Sequence, residues 1–218
     1  MDNQQSAVEL NAIEKVFRDH TIFEDINLVI PQGNITGISG PNGAGKSMLL
    51  RIICGLVQPT SGAVRVFGQR IGPDADFPAR TGALIDAPGF VPNWSAEKNL
   101  RMLAEINGKI DAERVAEALS IVGLAENSRQ PVRTFSVGMQ KRLGIAQTIL
   151  DKPDLLLLDE PTDSIDQEGW KDIYEYLIAL KENGTAILLT SNKFDEINIL
   201  CDQAYLLKDK KLTPLPIQ

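Results

Sequence analysis

Two short stretches carry residue types that could act together on a phosphate ester. The first is Gly40-Pro41-Asn42-Gly43-Ala44-Gly45-Lys46-Ser47, which fits the pattern G-x-x-x-x-G-K-[ST] at every fixed position. Its glycines let the backbone curl, so that successive N–H groups point inward at phosphate oxygens. Lys46 adds a full positive charge near the β- and γ-phosphates, and the Ser47 hydroxyl suits Mg²⁺, a hard cation that wants oxygen ligands. The second stretch is Leu155-Leu156-Leu157-Leu158-Asp159-Glu160, two carboxylates directly after an apolar run. An Asp in that position holds Mg²⁺ in phosphate-loop enzymes, directly or through water. Glu160 beside it can orient or deprotonate a water for attack on the γ-phosphate.

These residues need a scaffold that presents strand ends and helix starts together. Upstream of the glycine-rich loop, residues 34–39 read as a short buried strand; Met48 and the residues after it read as a helix over 46–57 whose N-terminus faces the anion. Residues 8–16 and 22–30 read as two strands around a turn at 18–21. A turn at 58–62, a strand at 63–67, a surface loop over 68–80 and a strand at 83–85 ending at Asp86 follow. From 87 to 150 helical periodicity dominates, with Asp111 capping one helix and another running over 137–150. Strand and helix then alternate: 155–159, 167–182, 185–190, 193–200 and 203–207. Leu-rich strands without polar alternation imply a parallel sheet covered on both faces. The expected fold class is therefore α/β, a mostly parallel core with a helical insertion.

Bulk properties exclude several function classes. The 218 residues suit one α/β domain with a full core. A net charge of −7 argues against a nucleic-acid surface, which would need a basic stripe, and against adhesion to anionic lipid. Cys54 and Cys201 lie far apart without metal-ligand spacing and read as small buried hydrophobes of a reducing compartment. Residues 1–5 lack the basic and apolar regions of a signal peptide, and no apolar run approaches the length of a membrane span. The expectation is a soluble, cytoplasmic chain whose work at a membrane needs a partner.

Along its whole length the chain resembles the nucleotide-binding subunit of an ATP-binding cassette (ABC) transporter, because its motifs fall in that family's order. Phe17 stands where the family stacks an aromatic on adenine, with simple core packing as the other reading. The phosphate loop is followed by Asp86 at the Q-loop position, by Phe135-Ser136-Val137-Gly138-Met139 in place of the L-S-G-G-Q signature, by Asp159 and Glu160, by Pro161-Thr162-Asp163-Ser164-Ile165-Asp166 as the D-loop, and by Asn192 at the switch-histidine position. The resemblance implies a phosphate-loop NTPase core over 1–86 and 151–218, a small antiparallel sheet near the N-terminus, and a helical subdomain over 87–150. It implies ATP and Mg²⁺ as cofactors. Phe17, Gly40, Pro41, Asn42, Gly43, Ala44, Gly45, Lys46, Ser47, Met48, Ser136, Gly138 and Asp166 would bind nucleotide; Ser47, Asp86 and Asp159 would hold the metal; Glu160, Asn192 and Asp86 would serve catalysis. It implies two copies stacked head to tail, each Ser136 closing the other's site, although Ser136 also suits an ordinary helix N-cap.

Departures from the pattern narrow the family. Val137 and Met139 replace Gly and Gln, Asp86 replaces Gln, and Asn192 replaces the histidine, while the one histidine, His20, falls in an early turn. Ala83-Leu84-Ile85-Asp86-Ala87-Pro88-Gly89-Phe90-Val91-Pro92-Asn93-Trp94 is similar to the bacterial exporters of bacitracin and lantibiotic type, where an acidic residue stands in the Q-loop. Phe90, Val91 and Trp94 either offer a groove to a cytoplasmic helix of a separate membrane permease, through the 86–95 loop, or plug the subdomain interface. The reading is thus the ATPase subunit of an exporter of peptide antibiotic or similar amphipathic substrate, peripheral on the inner face of the cell membrane. The alternatives are a subunit for an unrelated cargo or a nucleotide-binding regulator with little turnover. A protein acting on ribosomes or DNA fits less well with one uninterrupted, acidic cassette.

Overall fold

The computed structural model describes residues 5–108, 111–165 and 167–217. Three strands are buried at every position: β3 (Ile35–Ser39), β7 (Leu155–Asp159) and β8 (Ala186–Ser191). They lie in one six-stranded sheet among the described residues, in the order β10-β9-β3-β8-β7-β6, where β6 is Thr81–Leu84, β9 is Gln203–Lys208 and β10 is Lys211–Leu215. All neighbours are parallel except β9 and β10. The leucine run explains the placement, because alternate residues serve opposite faces. Leu155 and Leu157 join one apolar cluster and Leu156 and Leu158 the other.

The first cluster is closed by helix α1 (Lys46–Ile53) and by a four-stranded antiparallel sheet among the described residues, ordered β2-β1-β4-β5. Its strands are β1 (Ser6–Phe17), β2 (His20–Pro31), β4 (Ser61–Val66) and β5 (Gln69–Arg70). The second cluster is closed by α2 (Ala96–Asn107), α3 (Ala112–Ile121), α4 (Val137–Ile149), α5 (Gln167–Glu182) and α6 (Phe194–Leu200). The architecture is α/β as the sequence implies.

Four local expectations need correction. Helix α1 stops at Ile53, short of 57, because Leu56 and Val57 both donate to the Arg51 carbonyl and close a turn. The first hairpin turns on Arg18 and Asp19 alone, since Phe17 pairs with His20. The 68–80 loop contains β5, pinned where the Asp74 carboxylate accepts from the Arg70 amide at 2.9 Å. Strand β10 was not foreseen. Pro214 sits within it, which an edge strand tolerates and a central one would not.

Helix α4 matters most for the site because it reaches from residue 137 back to the core. Its C-terminal end is held by Arg114 of α3, a buried residue. Arg114 Nε donates to the Leu150 carbonyl at 3.1 Å and its guanidinium also donates to the Ile149 carbonyl and to the Tyr176 hydroxyl. A cation there satisfies helix-end carbonyls and complements the helix dipole. Arg114→Met strands those carbonyls, so the expected cost is about 2–3 kcal/mol of folding stability. Urea unfolding followed by circular dichroism measures it, and a midpoint equal to wild type would refute the clamp.

Candidate functional site

Parallel strands bring their C-terminal ends to one edge of the sheet, where ligands of open α/β sheets bind. Here that edge collects the loop after β3, Asp86 beyond β6, Glu160 after β7, Asn192 after β8 and Asp209 after β9. A cleft of about 790 Å³ opens over it, lined among others by Lys46, Ser47, Arg51, Lys141, Asp159 and Glu160.

Residues 42–48 of the glycine-rich loop line this cleft. Gly45 caps α1 at φ 105°, a left-handed conformation in which a Cβ would lie 2.6 Å from the Phe23 ring. No side chain caps this helix start, which leaves its first-turn amides without a side-chain acceptor, the arrangement in which a helix N-terminus suits an anion. Gly40 and Pro41 take a different part: their carbonyls accept from Lys46 Nζ at 2.8 and 3.4 Å. Lys46 is 5% exposed, and its ammonium also lies 3.0 Å from Glu160 Oε1. The lysine thus bridges the loop and the carboxylate at the floor of the cleft.

Asp159 is buried and accepts from the Thr190 hydroxyl at 2.7 Å, while the same hydroxyl accepts from the Glu160 amide at 3.0 Å. Thr190 therefore ties β7 to β8 directly beneath the two carboxylates. Ser47 and Asp159 offer hard oxygen donors to one cleft. Among the described residues no group of three His, Cys, Asp or Glu side chains is placed to hold a metal by itself. Such a donor set fits Mg²⁺ that arrives on phosphates and keeps much of its water.

Asp86 lines the cleft, but its carboxylate is engaged by Arg51, whose Nη2 lies 2.7 and 2.6 Å from the two oxygens. The Asp86 hydrogen bond raises the guanidinium above its ordinary pKa. Sequence reasoning missed Arg51, although it follows Ser47 by four residues and so shares its helix face. Lys141 was missed as well. It stands one turn into α4 and donates to the Asp159 carbonyl at 3.0 Å. Burial lowers its pKa, opposed by Asp159, Asp163, Glu160 and Asp86.

Other expected residues are not gathered into the cleft. Phe17 is half-exposed, with the Lys15 ammonium 4.8 Å from its ring centroid, and it does not line the cavity; His20, its partner across the hairpin, does. Asn192 is exposed just past β8 and also lies outside the lining. Ser136 caps α4 by accepting from the Met139 amide at 3.2 Å. It is exposed beside Val137, itself 70% exposed, and neither faces the chain's own cleft. Gly138 is required by a close approach, since a Cβ there would lie 2.4 Å from the Ser164 carbonyl oxygen. Asp166 and residues 1–4 lie outside the described residues. In the 86–95 loop Phe90 packs on the core while Val91 is exposed, and Lys98 Nζ lies 4.2 Å over the Trp94 ring. Burial raises both thiol pKa values, Cys201 to about 12, which marks them as inert. No helix among the described residues is long and apolar enough to cross a membrane.

The family model described as "ABC transporter" matches residues 23–163. The chain is 36% identical over 197 residues to the uncharacterized ABC transporter ATP-binding protein YybJ of Bacillus subtilis (strain 168), covering 90% of each chain. It is 36% identical to the bacitracin transport ATP-binding protein BcrA of Enterococcus faecalis, covering 89% of this chain and 64% of the relative. With the lantibiotic transport ATP-binding protein SrtF of Streptococcus pyogenes it shares 34% identity, over 89% of this chain and 84% of that one. A solved ATP-binding subunit of an ABC transporter superposes with TM-score 0.85 at 25% identity, over 94% of this chain and 88% of that one. A dimeric post-hydrolysis cassette bound to ADP and Pi shares the fold, with TM-score 0.86 at 22% identity, over 97% and 99% of the two chains.

Proposed function

Because this chain belongs to the ABC transporter family, as a subunit that binds and hydrolyses ATP, we propose that it powers export of a peptide antibiotic or similar amphipathic compound through a separate membrane permease. The names of the bacitracin and lantibiotic relatives support that class of cargo. The observation that carries the reading is the meeting of Lys46, Asp159 and Glu160 at one cleft between strand ends.

In the proposed reaction the amides of 42–48 and Lys46 hold the phosphates, which requires Lys46 to leave Glu160. Glu160, freed toward the cleft, takes a proton from the attacking water. Mg²⁺, held by Ser47 and Asp159, would neutralise charge on the phosphate oxygens. Asp86 would reach that ion only by exchanging Arg51 for it, so its part in metal binding is secondary to its ion pair. Exposed Ser136 and the start of α4 suit the nucleotide of a second copy stacked head to tail, with Asp166 and Phe17 completing contacts at the rims. The division into a core over 1–86 and 151–218 and a helical subdomain over 87–150 belongs to the same proposal. So do a cytoplasmic location against the membrane and a permease contact through 86–95, where Val91 and Trp94 form the outer surface.

The test is steady-state phosphate release at saturating Mg-ATP by wild type, Glu160→Gln and Asn192→His, with the permease present. Wild type should exceed Glu160→Gln. Asn192→His should exceed wild type by about 5-fold or more if it adds a charge-assisted contact to the γ-phosphate. A wild-type rate no faster than Glu160→Gln would instead make the chain a nucleotide-binding regulator.

A further inference from the structure

One carboxylate outside the cleft joins the two segments that carry Glu160 and Asn192. Glu196, in the first turn of α6, accepts with a single oxygen from the Thr162 hydroxyl at 2.5 Å and the Ser191 hydroxyl at 2.8 Å. Its other oxygen lies 3.3 Å from Lys193 Nζ. Ser191 Oγ in turn accepts from the Lys193 amide at 3.0 Å, which fixes the backbone on both sides of Asn192. Thr162 and Ser191 are buried, and Ile197 and Leu200 bury α6 behind them. A carboxylate in such surroundings costs stability unless its lone pairs are used, and here they are.

Thr162 follows Glu160 by two residues, and Ser191 precedes Asn192 by one. We propose that Glu196 is a positioning residue for ATP cleavage: it clasps the turn that carries Glu160 to the strand end that carries Asn192. This rests on the ATPase reading above. When nucleotide draws Lys46 away from Glu160, the segment 160–163 is released on its cleft side. The clasp then carries its new position to 191–193, so both segments reach their working arrangement together. Thr190 cannot do this alone, because it binds the base of the turn at Asp159 and the Glu160 amide and leaves 161–163 unheld.

Two measurements test the clasp. In steady-state phosphate release, Thr162→Val and Glu196→Ala should each lower kcat about tenfold or more while KM for ATP stays within about twofold, the pattern of a lost transition-state arrangement and not of lost binding. Thr162→Ser and Glu196→Gln, which restore a donor and a double acceptor, should bring kcat back to within about threefold of wild type. Unchanged kcat in Thr162→Val and Glu196→Ala overturns the proposal. The second measurement is amide hydrogen exchange without nucleotide, on variants whose circular dichroism matches wild type. Thr162→Val should speed exchange at 190–193, and Ser191→Ala at 160–163. If each substitution loosens only its own segment, the clasp is overturned whatever the activities. A wild-type rate equal to that of Glu160→Gln strikes at the ATPase reading instead, and the exchange result still decides the clasp.

Discussion

Glu160→Gln lowers steady-state ATP hydrolysis by about 10²–10⁴-fold, the range lost when a positioned general base is removed, yet ATP binds at least as tightly as to wild type. Gln has the same length and can orient a water through its carbonyl oxygen, but it cannot accept the water's proton. The backbone that aims this side chain is held independently of its charge: Glu160 has φ 43°, and its amide donates to Thr190 Oγ1 at 3.0 Å. The loss is therefore chemical, not a collapse of the turn. Binding improves because, without nucleotide, Lys46 is paired to Glu160 at 3.0 Å and that pair must open before the ammonium reaches a phosphate. Removing the charge removes this competition. With ATP bound and uncleaved, the variant should also accumulate as a head-to-tail dimer. Calorimetry, phosphate release and light scattering on the same preparation check the three parts. Weaker ATP binding by Glu160→Gln would mean that the pair is not opened by nucleotide.

How much of this was legible in the sequence follows from which forces act locally. The loop at 40–47 is legible because backbone curvature restricts residue type position by position, and the strand at 155–159 because burial on both faces leaves an unbroken leucine run. Contacts between distant residues left no such trace. Asp86 took its metal role from the resemblance, at the Q-loop position, whereas its counter-ion comes from Arg51, 35 residues earlier in a helix that sequence reasoning valued only for its N-terminus. Lys141 lies just past the motif at 135–139 and nothing in the local pattern marks it, yet packing of α4 against β6 brings it to the Asp159 carbonyl. Glu196 carries no local signal beyond its place in the helix at 193–200; the parallel neighbours β7 and β8 bring Thr162 and Ser191 within its reach. Phe17 took its stacking role from the motif order alone; the two-residue hairpin leaves its ring half-exposed at the strand end, where His20 lines the cleft.

Lys46→Ala weakens ATP binding by about 10- to 150-fold, the worth of one charge-assisted hydrogen-bonded contact to a phosphate. The structure makes this more than a deleted charge. Lys46 is the buried cation of the loop, with Gly40 and Pro41 carbonyls and the Glu160 carboxylate arranged around its ammonium. Removing it leaves Glu160 unneutralised at the place where the γ-phosphate must sit, so repulsion adds to the lost attraction. The added part is separable, because Glu160→Gln placed on top of Lys46→Ala removes the repulsion without restoring the lysine. Part of the affinity should return in that double variant, and the four proteins form a thermodynamic cycle whose coupling measures the Lys46–Glu160 interaction during binding. Arg51 and Lys141 also line the cleft. They do not substitute for Lys46, since Asp86 and the Asp159 carbonyl already engage them. Calorimetric titration with ATP, with folding checked by circular dichroism, gives each corner of the cycle. A dissociation constant for Lys46→Ala equal to that of wild type would show that phosphate is held elsewhere, and an absence of recovery in the double variant would show that Glu160 does not face the bound γ-phosphate.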